Sequence, residues 1–306
     1  MRLIGFVLLY MLSLSSAFAA CEGRLISEWI SGGPVCVPQA PARIVVLEPW
    51  LSFGTLHELE AQIIGIPMMG IQDQTLREAA EKAAITDVGH PYQPSIERIV
   101  ALQPDLIIGA SYAHEQAYDK LSAIAPTLLL DQLGWKKHYM FLAEIIGRKE
   151  AAQRKLDEYE TRVTDIRERI PQDLTVSVLR IAPLGFQVYL DGPSAYAPYA
   201  VLREAGVRRT DYETATGNTV LKRPDWEEVS ALEGDILLYV VVSGLDPALD
   251  DDLAAQTQAN PLWKTMRAVK ADRAHRIDRA TWMGFYGTTS AHQVLDDIER
   301  YILTEP

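Results

Sequence analysis

The chain has 306 residues, 48% of them hydrophobic, and a formal net charge of −12. That length supports one large core or two medium ones. The acidity argues against nucleic acid or an anionic membrane as partner, since both need a basic surface, and suits either plain solubility or docking to a basic partner.

Residues 1–20 read as a secretory signal. Arg2 is the positive start, Leu3 to Leu14 the apolar stretch, and Ala17-Phe18-Ala19 a small-x-small cleavage site. Cys21 and Cys36 are the only cysteines. In an exported chain they are expected to pair, tying down a leading segment, residues 21–40, that is rich in Gly and Pro. A second reading is open: Phe18-Ala19-Ala20-Cys21 loosely matches a lipoprotein signal, and lipid on Cys21 would leave Cys36 single.

A first α/β lobe is expected over residues 41–145. Ile44-Val45-Val46-Leu47 is a short β-branched run and predicts a buried strand; residues 51–60 predict a helix and Ile63 to Ile66 the next strand. After Pro94, Ser95 can cap a short helix whose first turn holds Glu97, where the helix dipole favours an anion. Gln103-Pro104-Asp105 ends that helix, and Leu106 to Gly109 is a strand.

Residues 149–170 carry the longest helical pattern. Leu156, Tyr159, Val163, Ile166 and Ile170 share one face, and Pro171 stops the run. At 1.5 Å per residue this helix is about 33 Å long, the width of a small domain. It is expected to tie two lobes together across residues 146–171, although a helix packed wholly on the first lobe fits the same pattern. A second α/β lobe, residues 172–306, opens with a strand over Thr175 to Ile181. It continues with a strand over Ile236 to Val242 and closes with a helix from about Ser290 to Leu303.

The two lobes are related by a repeat. Residues 94–108, PSIERIVALQPDLII, recur as residues 224–238, PDWEEVSALEGDILL. Pro94, Glu97, Ala101, Leu102 and Asp105 match Pro224, Glu227, Ala231, Leu232 and Asp235 at one constant offset, and the apolar positions recur with them. A repeat at nearly half the chain length indicates two lobes of like architecture, not a solenoid. The expected fold is therefore two Rossmann-like lobes, each a mainly parallel sheet flanked by helices, with a ligand-sized cleft between them.

Nothing in the chain reads as catalytic. It has no phosphate-binding loop, no GxGxxG, no GxSxG and no HExxH. The six histidines show no metal-ligand spacing, so no protein-bound metal and no cofactor is expected. The aromatics are more telling. Trp50 follows a strand end, Tyr92 sits beside His90 before the repeat helix, Tyr112 follows the next strand, and Trp282, Phe285 and Tyr286 lie in the Gly-rich stretch TWMGFYGTT. Aromatics just beyond strand ends suit a bulky ligand of mixed polarity. Core packing is the alternative role for each.

Three segments carry a family resemblance: Pro41 to Glu48; Asp87-Val88-Gly89 with Pro94-Ser95-Ile96-Glu97; and Pro261-Leu262-Trp263-Lys264 through Val269 to Arg273, Ile277, Trp282 and Phe285-Tyr286-Gly287. Together they resemble the ferrichrome-type periplasmic binding proteins, within the broader family of siderophore, haem and cobalamin binders that serve ABC importers. The resemblance implies two lobes on one long helix and a monomer in the periplasm. It implies a ferric siderophore as transported ligand, delivered to an inner-membrane permease with its ATPase, with haem or cobalamin as the alternative cargo.

It also implies that Glu97 and Glu227, one per lobe, dock to basic permease residues, with Glu228 as the substitute one position on. Each could equally be a helix-start carboxylate. Tyr112, Trp282 and Tyr286 match pocket positions. The hydroxamate binders place an arginine after Asp-Val-Gly, where this chain has His90-Pro91-Tyr92. Arg180, at the end of a second-lobe strand, is the candidate to meet an anionic chelate instead. The expected ligand-binding set is Trp50, His90, Tyr92, Tyr112, Arg180, Trp282, Phe285 and Tyr286.

Overall fold

The computed structural model describes residues 21–230, 232–244 and 247–304. The leader expected over residues 1–20 lies outside them.

Cys21 and Cys36 form a disulfide across 15 residues, with Cα atoms 5.6 Å apart. The bond closes an antiparallel hairpin, Arg24–Ile26 against Val35–Val37, and commits the sulphur that a lipid anchor would need. Trp29, in the hairpin loop, meets Phe141 edge-on at 5.4 Å and carries the Lys137 ammonium over its ring at 3.9 Å. Ile30–Ser31 pairs antiparallel with the edge of the first sheet. The leading segment thus covers a strand edge that would otherwise be open.

The first lobe is built on strands β1 (Ile44–Val46), β2 (Ile63–Ile66), β3 (Leu106–Ala110) and β4 (Thr127–Leu130). They run parallel in the order β4-β3-β1-β2, with Ile30–Ser31 at one edge and Thr86–Asp87 at the other. Helices α1 (Ser52–Glu58), α2 (Ile96–Leu102) and α3 (Trp135–Ile145) flank them. Every residue of β1, β3 and β4 is buried, which is why they read as unbroken apolar runs.

The long helix α4 spans Lys149–Arg169, after Gly147 at φ +72° ends the preceding turn. It does not pack on the first lobe alone. Tyr159 meets Trp135 of α3 edge-on at 5.1 Å and donates its hydroxyl to Glu204 of the second lobe at 2.7 Å. Arg162 reaches both Asp296 and Glu299 at 2.6 Å.

The second lobe contains β5 (Val176–Ala182), β6 (Gly185–Tyr189), β7 (Ile236–Val241) and β8 (Ala274–Arg276), with helices α5 (Ala197–Glu204), α6 (Trp226–Ser230) and α7 (Gly287–Ile298). β5, β7 and β8 are parallel. β6 turns back antiparallel on β5 and pairs in turn with Leu221–Lys222. This hairpin, which sequence reasoning missed, makes the second sheet mixed where the first is parallel but for its edge.

The repeat has a structural cause. In the first lobe the Asp105 carboxylate accepts the Ala42 and Arg43 amides at 2.7 and 3.0 Å, anchoring the start of β1 to the start of β3. In the second, Asp235 accepts the Thr175 amide and hydroxyl, both at 2.9 Å, and anchors β5 to β7 in the same way. The apolar partners Ile99 and Val229 are both fully buried.

The lobes meet in a joint between α1 and the residues that lead into α7. Glu58 of α1 accepts the Tyr139 hydroxyl at 2.7 Å, the Thr289 amide at 2.9 Å and the Thr289 hydroxyl at 2.8 Å, with the Thr288 hydroxyl as a fourth donor. A carboxylate from one lobe therefore caps the last helix of the other, where the dipole favours it. Tyr286 packs into the core of the first lobe, over Gly54. A Cβ at Gly54 would lie 2.2 Å from that ring, and one at Gly287 (φ +49°) 2.6 Å from the Glu58 carboxylate. We expect Glu58→Ala to cost about 3 kcal/mol in denaturant unfolding, since it strands several buried donors, and Glu58→Gln to cost less.

Candidate functional site

A cavity of about 520 Å³ lies between the lobes. The first lobe supplies its wall from the carboxyl ends of β1, β3 and β4, where parallel sheets leave backbone groups and loops free to meet a ligand. Glu48 follows β1, Tyr112 follows β3, and Asp131 to Gly134 follow β4. Ser52 and Thr55 come from α1, Trp135 and His138 from α3. The second lobe contributes Tyr189 at the end of β6, the turn 193–197 with Tyr196, and Phe285.

Glu48 is 3% exposed. Its carboxylate accepts the amides of Trp50 at 2.9 Å, Leu51 at 3.1 Å and Ser52 at 2.8 Å, so it sits on the open N-terminus of α1. Burial first, and then the Glu48 charge, push the Tyr112 hydroxyl well above the usual phenol range. Burial also pushes Tyr196 up, with Tyr189 and Glu48 adding to it. Both phenols are protonated at neutral pH, as any phenol is, and the Tyr196 hydroxyl donates to the Met283 carbonyl at 3.4 Å. His138 faces Ser52, with Nε2 3.3 Å from the hydroxyl, and burial pushes its imidazole down to about 4.

An aromatic rim continues outward from Tyr112. Trp50 and Tyr92 lie 5.4 Å apart, and His90 is 5.8 Å from Tyr92 with its Nδ1 accepting the Tyr92 amide at 3.2 Å. Tyr92 and Tyr112 are each about half exposed. The buried His114 positions both: Nδ1 accepts the Ala110 amide at 3.0 Å, which leaves Nε2 to donate to the Pro91 carbonyl at 2.7 Å.

Of the residues singled out from sequence, Tyr112 and Phe285 line the cavity. Trp50, His90 and Tyr92 gather at the rim. Arg180 stands behind the wall, its Nη1 donating to the Tyr189 hydroxyl at 3.0 Å. Trp282 and Tyr286 do not line the cavity.

Trp282 is fully buried, donates to Asp297 at 2.7 Å, and meets Tyr199 edge-on at 5.9 Å. Tyr199 in turn stacks on Tyr189 at 5.1 Å. Trp282 therefore supports the aromatic wall from beneath. Tyr286 is seated in the interlobe joint, with its hydroxyl 3.4 Å from Asp73.

Sequence reasoning missed Glu48, Trp135, His138, Tyr189 and Tyr196 as wall residues. One signal was present for Tyr196: it precedes Ala197-Pro198, and proline in the first helical turn marks a helix start beside a loop.

The sequence profile of the periplasmic binding protein family matches residues 45–281. The chain belongs to that family. It is 28% identical over 283 residues to the probable siderophore-binding lipoprotein YfiY of Bacillus subtilis, covering 87% of this chain and 84% of that one. It is 29% identical over 255 residues to the achromobactin-binding periplasmic protein of Dickeya dadantii, covering 78% and 81%. Among solved structures, Staphylococcus aureus SirA complexed with staphyloferrin B superposes with a TM-score of 0.75 at 21% identity, over 91% of this chain and 98% of that one. That last likeness establishes the two-lobed fold.

The neutral burial of His138 generates a pH dependence. Between pH 6.5 and about 4 the unfolded chain takes up a proton on this imidazole that the folded chain does not. Stability contributed at neutral pH is thus lost as pH falls through that window, by roughly 3 kcal/mol at its foot. Denaturant melts of the wild type and His138→Gln at pH 7 and pH 4.5 should show a smaller acid-side loss in the variant.

Proposed function

We propose that this chain captures a ferric siderophore in the interlobe cleft and delivers it to the permease of an ABC importer. The observation that carries the reading is the cavity wall itself. Both lobes contribute to it, and it combines the aromatic faces of Trp135, Tyr112, Tyr189, Tyr196 and Phe285 with hydroxyl donors. Such a surface suits a chelate with an apolar periphery and a ring of oxygens around its metal. The family and the siderophore binders named above agree with this cargo.

The role is capture, not turnover. Tyr112 and Tyr196 are protonated at neutral pH as ordinary phenols are, and burial with the Glu48 charge raises them further. The Tyr112 hydroxyl is the wall phenol placed to donate to a chelate oxygen, while the Tyr196 hydroxyl donates to the Met283 carbonyl at 3.4 Å and presents its ring. The metal arrives and leaves inside its chelate, and the protein needs no metal or cofactor of its own. Arg180 acts through Tyr189: by donating to that oxygen it leaves the phenol proton free to point at a ligand.

Glu97 and Glu227 are the permease contacts. Both are exposed in the first turn of equivalent helices, and neither carboxylate has a partner among the described residues. Glu228 is engaged, its carboxylate accepting the Asp225 amide at 3.1 Å while Asp225 accepts the Glu227 and Glu228 amides. This reciprocal cap leaves Glu227 to face outward. The protein works as a monomer in the periplasm, shuttling cargo to the inner membrane.

Trp135 lies in the cavity wall, so cargo should quench its fluorescence. Titration with ferric hydroxamate, catecholate and carboxylate siderophores, alongside haemin and cobalamin, should give saturable sub-micromolar quenching by a ferric siderophore. Saturation by haemin or cobalamin alone would overturn the cargo. In a transport assay, the Glu97→Ala/Glu227→Ala double variant should keep wild-type affinity and lose uptake. Unchanged uptake would refute the docking roles.

A further inference from the structure

The charge on the cleft wall narrows the cargo further. Two carboxylates line the cavity, Glu48 and Asp131. Three backbone amides hold Glu48 in place, so it cannot turn away from an incoming ligand. Asp131 is half-buried, and its carboxylate takes a hydrogen bond from the Ser31 hydroxyl at 3.3 Å. His138, beside them, is kept neutral by burial. Among the described residues that line the cavity there is no lysine or arginine. Arg180 is not among the lining residues; its guanidinium stands behind the wall and donates to the Tyr189 hydroxyl.

A ligand in this cleft therefore meets two negative charges and one positive charge at second hand. A polyanionic chelate would lose its hydration here without gaining a direct cationic partner, which is the costly way to bury charge. A chelate with a neutral iron centre and a protonated amine on its periphery fits the same field. We propose that the cleft selects ferric chelates of zero or positive net charge, seating a protonated amine or N–H donor against Glu48 and Asp131, and rejects polyanionic ones. This rests on the ferric-siderophore reading and deepens it by naming the charge class of the cargo.

The test is fluorescence titration of the chain at neutral pH and low salt with four probes. Ferrioxamine B is a cationic trishydroxamate with a free amine, and ferrioxamine E is its neutral cyclic counterpart. Ferric dicitrate and ferric enterobactin are polyanions. Ferrioxamine B should bind at least about tenfold more tightly than either polyanion. Asp131→Asn should weaken ferrioxamine B by about three- to tenfold and ferrioxamine E by less than about twofold, and Glu48→Gln should do the same more strongly.

Thermal unfolding reports whether each variant is folded. If Glu48→Gln is not, Asp131→Asn decides alone. A polyanion binding as tightly as ferrioxamine B, or equal losses for the two ferrioxamines, overturns the charge rule and leaves the siderophore reading standing. Saturation by none of the four probes overturns both.

Discussion

The contact on which the molecule depends is the one between Glu58 and the start of the last helix. Helix α1 has two uses. Ser52 and Thr55 face the cavity, while Gly54 and Glu58 receive the second lobe. The carboxylate takes the amide and hydroxyl of Thr289 and the hydroxyls of Thr288 and Tyr139. The bare Cα of Gly54 admits the Tyr286 ring. One helix of seven residues therefore both lines the cavity and receives the second lobe.

Much of the frame was legible because its signals are local. β1, β3, β5 and β7 announced themselves as apolar runs, and α4 as one apolar stripe ended by proline. The repeat did more than mark two lobes. Its aspartates, Asp105 and Asp235, proved to be the anchors of equivalent parallel strands. A carboxylate that binds a neighbouring strand's first amides has to stand at the start of its own strand, and so recurs at the same step in each lobe. What stayed hidden in the frame was the β5–β6 hairpin, whose second strand turns only Phe186 and Val188 inward and has no β-branched run.

The site was less legible, for a geometric reason. Of the aromatics beyond strand ends, Tyr112 lies in the cavity wall and Trp50 stands 5.4 Å from Tyr92, each placed by the strand or turn it follows. Trp282 and Tyr286 lie elsewhere, one in the core and one in the interlobe joint. The glycine of that stretch gives clearance for protein: Gly287 lets Glu58 approach, as Gly54 of α1 lets Tyr286 in. The partners lie more than 200 residues apart in the chain, and no spacing records such a pairing. Tyr189 and Tyr196 were missed because their exposure to the cleft depends on Tyr199 and Trp282 stacked behind them.

The joint also limits how the protein can choose its ligand. Swinging the lobes apart would uncap α7, unseat Tyr286 and break the Arg279–Gln72 contact, where the guanidinium meets the amide oxygen at 2.7 Å. It would also work against α4, which Arg162 and Arg169 fasten to Glu299 at 2.6 Å. A ligand can drive such a motion only by the difference in its affinity for the two states. With the lobes held, little of the binding free energy is diverted into closure, and the wall is largely formed before cargo arrives. Selectivity then falls to groups that are fixed in advance. Glu48 is the most firmly fixed of them, because the turn that starts α1 donates three amides to it. The carboxylate that begins the helix and the one that ends it therefore divide the work: Glu58 holds the cleft in shape, and Glu48 sets the charge that cargo must answer.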